Sequence, residues 1–156
     1  MAKALLPLLK DFAFGLYMTL RAVWAPTALG VAAAVFDREG RVLLVKHRYS
    51  PGWQLPGGGV GRGEAPEAAL LREMGEEVGL AGGAARLIGL YTRKSGWATN
   101  VVALYRVIGA EVNFRPNLEI CAIIFAPPCQ PPADCTPATL RRLKELEGHI
   151  PLSPFW

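Results

Sequence analysis

Residues 53–80, WQLPGGGVGRGEAPEAALLREMGEEVGL, place five glycines within the seven positions 57–63 and follow them with a segment crowded with glutamate. Such a run strips Cβ atoms from the chain and leaves backbone N–H and C=O groups free to approach a phosphate or a cation. From Pro66 to Val78 the pattern is helical. On a wheel advancing about 100° per residue, with Glu73 at zero, Glu77 falls at about +40° and Glu76 at about −60°. Leu71, Met74, Gly75 and Val78 group on the opposite side. Three carboxylates in one turn repel one another, and a bound divalent cation removes the conflict. Donors that are all oxygen suit Mg²⁺ or Mn²⁺, and no nearby His or Cys favours zinc. A solvated helix face is the competing reading of the same acids. Gly75 costs a helix about 1 kcal/mol relative to alanine, and close packing against a strand is the expected reason for it.

The flanks supply the rest of a sheet and its helices. Residues 28–36 and 41–47 are short apolar runs joined by DREG, whose glycine can take positive φ, so a β-hairpin is expected. Residues 85–94 and 100–109 repeat that pattern around SGWAT, and 119–127 form another strand. Residues 127–135 are too rich in proline to be an element. Thr136 and Pro137 read as the N-cap and first position of a helix with a Leu140, Leu143, Leu146 stripe, ended by Gly148. The tail HIPLSPFW carries no regular signal. Helices therefore flank a set of mostly paired strands, an α/β or α+β sandwich.

At 156 residues the chain has the length of one domain with a sizeable core. A formal charge of +4, scattered and without a Lys/Arg block, fits anionic ligands and argues against binding to a DNA duplex. Cys121, Cys129 and Cys135 form neither a C-x-x-C pair nor a zinc pattern, which points to a reduced, cytoplasmic protein. Near the N-terminus Leu9, Phe12, Ala13, Leu16, Leu20 and Val23 recur at helical spacing over about residues 8–25, while Phe14, Tyr17 and Met18 lie off that stripe. Charges at Lys10, Asp11 and Arg21 interrupt the apolar run before the roughly 18–20 residues that a membrane span needs. A helix covered by the body of the protein or by a second copy, in a homodimer, is expected; a signal or membrane-surface segment is the alternative.

Gly58, five residues, Glu64, seven residues, then Arg72-Glu73-Met74-x-Glu76-Glu77-x-Gly79-Leu80 resembles the whole signature of the Nudix hydrolases, G-x5-E-x7-R-E-U-x-E-E-x-G-U with U a bulky aliphatic. All nine specified positions agree, and Trp53-x-Leu55-Pro56-Gly57-Gly58 before them is also typical of that family. The order of elements extends the likeness to residues 28–147. The resemblance implies a single α/β Nudix domain, an α/β/α sandwich with a mixed sheet between helices, here with an extra N-terminal helix.

It also implies a pyrophosphohydrolase that uses water and Mg²⁺ or Mn²⁺ on a nucleoside diphosphate linked to another moiety, such as a nucleoside triphosphate, ADP-ribose or a nucleotide sugar. Carried over by position, Glu73, Glu76 and Glu77 form the metal site, with Glu73 and Glu77 as direct ligands and the Gly57 carbonyl as a backbone ligand. Arg72 orients a glutamate, and Glu64 braces the loop. The general base is a motif glutamate or Glu119, from just before a later strand. Arg48, Arg62, Arg93 and Lys94 are candidate phosphate contacts, and Tyr49 and Trp97 candidate stacking platforms. His47 and His149 carry no assigned role. Gly61-Arg62 departs from the acidic residue and proline common in relatives. Two alternatives remain open: hydrolysis of the 5′ phosphates of RNA, and a ligand-binding or regulatory module without catalysis.

Overall fold

The computed structural model describes residues 2–156, with side chains from residue 12 onward. The first helix, α1, is Ala2–Trp24. From Phe12 to Trp24 its large apolar side chains are all exposed, so the body of the protein does not cover it; Leu9 of the expected stripe lies outside the described side chains. Among the described residues no helix is long and apolar enough to cross a membrane.

Seven strands follow: β1 (Thr27–Phe36), β2 (Val42–His47), β3 (Trp53–Gln54), β4 (Gly57–Gly59), β5 (Leu80–Ser95), β6 (Ala98–Val112) and β7 (Ile120–Ala126). They form one sheet ordered β3-β2-β1-β6-β5, with β4 also beside β1 and β7 beside β2. β1 and β6 run parallel and the remaining pairs antiparallel, which makes the sheet mixed. The β1–β2 hairpin is paired only at Phe36 and Val42. Beyond it β1 gives its edge to the glycine strand, Gly30 opposite Gly59 and Ala32 opposite Gly57. The two strands of the hairpin therefore part company, and the glycine run is a strand where a loop was expected.

Alternation along β1 sorts the core into two layers. Val31, Ala33 and Val35 pack with Leu43, Val45 and the inner side of α2 (Pro66–Val78). Ala32 and Ala34 pack with Val42, Leu44, Tyr91 and Leu143 of α3 (Pro137–Leu146). Burial on both faces explains why β1 reads as a nearly unbroken apolar run.

Pro66 opens α2 with no side-chain cap at Ala65, and Gly79 closes it at φ 64°, where the Asn113 carbonyl occupies the place a Cβ would need. Ala69, Leu70, Met74 and Val78 are fully buried, each of the larger ones contributing about 1.5–3 kcal/mol. Two details depart from the helical wheel. Leu71 is exposed, and Gly75 faces open space with no strand against it; nothing in the structure accounts for a glycine there. Helix α3 begins as its sequence signals, the Thr136 hydroxyl accepting from the Thr139 amide at 3.3 Å.

Candidate active site

The acidic face of α2 lies against the glycine strand. The Gly57 amide donates to Glu77 Oε2 at 3.1 Å. Gly58 has no room for a side chain, because the Glu73 carboxylate fills the space a Cβ would take. Gly57 is similarly closed off by the backbone of Val31 and Ala32. Glycine is thus required at Gly57 by the close approach of the β1 backbone, whereas a side chain at Gly58 would have to displace the Glu73 carboxylate.

Arg72 organises the near end of this face. It donates to Glu64 Oε1 at 2.9 Å and Oε2 at 3.0 Å, to Glu73 Oε1 at 2.9 Å and to the Gly59 carbonyl at 3.1 Å. Glu76 lies 3.5 Å away. Glu64 also accepts from the Gly61 amide at 2.7 Å. The Arg72 guanidinium and that amide pull the Glu64 carboxyl down to about 2; in turn Glu64 and then Glu73 raise Arg72.

Asn117 organises the far end. Its side-chain amide donates to the carbonyls of Glu77 at 3.0 Å and Glu76 at 3.4 Å, while its oxygen accepts from the amides of Glu119 and Ile120. One side chain therefore ties the end of α2 to the loop that carries Glu119. Arg48 holds the same loop, its guanidinium donating to the Asn117 carbonyl at 2.7 Å and its amide to the Glu119 carbonyl at 2.9 Å. The Arg48 group is engaged with protein backbone.

Between these ends is a depression of about 360 Å³ lined by Glu73, Glu76, Glu77, Asn117, Leu118 and Glu119. Glu77 is buried, and burial pushes its carboxyl up to about 7; the charges of Glu73, Glu119 and Glu76 add to the rise, against the lowering effect of the Gly57 amide. The charges of Glu119, Glu77 and Glu73 also reach Tyr49, whose ring is largely exposed but whose hydroxyl is raised, first by partial desolvation and then by these three. Among the described residues no three Asp, Glu, His or Cys side chains already converge as a tight cation cluster, since Glu73 turns toward Arg72 and Glu76 toward solvent. The donor set nevertheless fits a hard cation: every side-chain donor is a carboxylate oxygen, and one is buried in a setting that disfavours its charge.

A second cavity, of about 340 Å³, is bordered by Gly57–Gly59 and lies over β1 and β6, with His47, Arg93, Asn100 and Trp156 on its walls. Of the sequence-derived substrate candidates, Arg93 lines it. Tyr49 is exposed near the acids, while Arg62 and Trp97 line neither space. Sequence reasoning passed over Asn117, Asn100 and Trp156. Asn-Leu-Glu before an apolar run is a turn signal that could have revealed Asn117, whereas nothing local marks the other two.

A profile of the NUDIX domain matches residues 26–129, two thirds of the chain, and the chain belongs to the Nudix hydrolase family. Its fold is similar to the crystal structure of a MutT NUDIX hydrolase from Burkholderia pseudomallei, with a TM-score of 0.68 and 28% identity over 77% of this chain and 98% of that one. The solution structure of the E. coli ORF135 protein shares the fold, at 21% identity and TM-score 0.62 over 83% and 96% of the two chains. Among curated proteins, the chain is 40% identical to an RNA pyrophosphohydrolase of Gluconobacter oxydans over 74 residues, 46% of this chain and 41% of that protein. It is 38% identical over 69 residues to one from Hydrogenovibrio crunogenus, 44% and 40% of the two. The chain thus spans about two fifths of the length of these curated relatives.

Proposed function

We propose that this chain is a divalent-cation-dependent pyrophosphohydrolase, attacking with water at phosphorus in a nucleoside diphosphate linked to another moiety. The observation that carries this reading is the depression lined by Glu73, Glu76, Glu77 and Glu119 beside a glycine strand that can admit phosphate. Mg²⁺ or Mn²⁺ bound there supplies charge neutralisation at phosphoryl oxygens and a lowered pKa for water. Glu77 and Glu73 are the direct ligands in this reading, with Glu76 beside them and the Gly57 carbonyl as a backbone donor. Arg72 holds Glu73 in place through a charge-assisted bond. Glu119, carried by a loop that Asn117 and Arg48 brace against α2, is suited to take the proton from the attacking water.

The substrate class is a small nucleotide derivative. A second reading, hydrolysis of the 5′ phosphates of RNA, is favoured by the curated relatives, which are named RNA pyrophosphohydrolases. A non-catalytic module is disfavoured by the intact set of motif acids. The test is cleavage of the pyrophosphate bond with Mg²⁺ and with Mn²⁺, read as phosphate or pyrophosphate release from nucleoside triphosphates and a 5′-triphosphorylated RNA, and as nucleoside monophosphate formed from ADP-ribose and nucleotide sugars. Turnover of a free nucleotide at least tenfold above that of the RNA supports the first reading, and the reverse ratio supports the second. No cleavage of any of them overturns both.

A further inference from the structure

The 340 Å³ cavity lies on the sheet face opposite α2, and its floor follows from strand register. Ala28 pairs with Asn100 and Asn100 with Arg93; Gly30 pairs with Val102 and Val102 with Tyr91. These two rows share one face, and the β1 contributions, Ala28, Gly30 and Ala32, are all small. A flat floor is left where larger side chains would fill the space. On one flank run Gly57–Gly59, whose other contacts are Glu77 and Glu73. The glycine strand is therefore shared between the acidic depression and this cavity.

The wall beyond Tyr91 comes from residues 153–156, a segment outside the region matched by the family profile. The segment runs beside β5 as a short parallel bridge, with Thr92 donating to the Pro154 carbonyl at 2.8 Å and Trp156 donating to the Thr92 carbonyl at 3.1 Å. A fully buried ion pair on α3 fixes it. Arg142 donates to Glu145 at 2.6 Å and to the Phe155 carbonyl at 2.9 Å, and Glu145 accepts from the Ser153 amide at 3.0 Å and the Tyr91 hydroxyl at 3.1 Å. Burying two charges is costly unless their remaining hydrogen bonds are met. Here one Arg142 bond and one Glu145 bond end on the backbone of the tail, so the pair serves as its anchor, while Glu145 also meets the Tyr91 hydroxyl and Arg142 Nε is buried without a partner. The Trp156 ring meets Tyr91 edge-on at 5.6 Å, with the Arg142 guanidinium 5.5 Å from its centroid, and remains half-buried on the cavity wall.

We propose that Trp156 is a specificity-determining residue: held by the Arg142–Glu145 anchor, it gives the cavity an aromatic wall on which the base of a nucleotide stacks. This deepens the proposed function, since it rests on a diphosphate lying across the glycine strand toward the acids. The Asn100 side-chain amide offers a donor and an acceptor to the edge of such a base. Arg93 offers a cation at the same wall. Aromatic faces stack on bases with little sequence preference, so Trp156 sets a preference for a base over none, and Asn100 acts on which base.

The test measures binding without turnover. The full chain is titrated by calorimetry with AMP, GMP, CMP, UMP and ribose 5-phosphate, none of which contains a pyrophosphate bond. The parent is expected to bind at least one nucleotide more tightly than ribose 5-phosphate. Trp156→Ala is expected to weaken that nucleotide by roughly 5- to 100-fold and leave ribose 5-phosphate unchanged, with Trp156→Phe retaining part of the difference. Should the alanine variant not fold, the Trp156 indole N–H resonance of the parent, assigned from the phenylalanine variant, gives the same answer. It should shift with nucleotide and stay still with ribose 5-phosphate. Equal nucleotide binding by parent and Trp156→Ala overturns the proposal, as does an unmoved indole resonance or a parent blind to the base. Base-dependent binding without hydrolysis of any pyrophosphate leaves the wall standing and overturns the catalytic reading alone.

Discussion

The two faces of the sheet are built by opposite rules. On the α2 face all the acids but Glu119, their arginine and the glycine strand come from residues 57–79, and the geometry that joins them is mostly local: a helix turn, a short loop and one strand, with Asn117 fastening the later loop to the helix. On the α3 face the cavity gathers residues from β1, β2, β3, β4, β5, β6 and the tail, spread from Ala28 to Trp156. Chemistry that needs fixed spacing between charges can be encoded in one stretch of chain. A recognition surface assembled from separate elements can change one wall at a time, and it leaves no compact pattern behind.

The two faces should respond differently to perturbation. The largest effect is expected from chelation: if the α2 face carries the chemistry, EDTA should lower turnover at least about 1,000-fold, and Mg²⁺ or Mn²⁺ should restore it. Full activity in EDTA would show that the α2 face works without a cation. The α3 face should respond in stability. Arg142→Met leaves Glu145 buried without its partner, at a cost of about 3–5 kcal/mol in denaturant unfolding. The double change Arg142→Met with Glu145→Leu should recover most of that stability yet still free the tail, so nucleotide KM should remain raised. A double variant as unstable as the single one contradicts the anchor.

Gly58→Ala tests the contact between glycine strand and helix without removing a charge. Its Cβ must displace the Glu73 carboxylate, and a misplacement of about 1 Å can cost around 100-fold in kcat while the melting curve moves little. Unchanged kcat would show that Glu73 is free to shift.

A smaller effect concerns pH. The folded protein holds the Glu77 proton to about 7, against an ordinary value of 4.5. The stability linked to that group is therefore present below pH 4.5 and lost as pH rises through 7. His47, lowered by burial, acts in the opposite sense in the upper part of the window. The readout is accordingly the difference between the metal-free parent and Glu77→Gln, with the variant gaining relative stability from pH 5 to pH 8. Mg²⁺ should stabilise the parent more at pH 8 than at pH 5. The smallest effects belong to Arg62→Ala and Trp97→Ala, exposed positions outside both spaces. Each should change stability by less than about 0.5 kcal/mol and leave kcat/KM within about twofold.

What the sequence disclosed follows the same division. Helix α2 occupies the span read from its periodicity, Pro66–Val78, and the Thr136–Pro137 start of α3 is where capping chemistry puts it. The strands of the second hairpin run longer than expected, Leu80–Ser95 and Ala98–Val112, because Gly82, Gly83 and Gly109 have poor strand propensity that cross-strand pairing overrides. Strand β4 was hidden for a related reason: three glycines become a strand only when β1 offers an edge. The tail looked irregular, since its bonds go to α3 and β5 and not to itself. Helical phase alone located the three acids on one side of α2, yet it could not say that Glu77 is buried and Glu76 exposed, which depends on the neighbouring strand and loop.

Hydrolysis at the acidic face, as proposed, depends on the buried carboxylate of Glu77. This dependence is tested most directly by the kcat of parent and Glu77→Gln at saturating Mg²⁺ on whichever pyrophosphate substrate the parent turns over fastest. A fall of at least about 100-fold is expected in a variant that melts normally and keeps its nucleotide affinity. Undiminished kcat in that variant would contradict it.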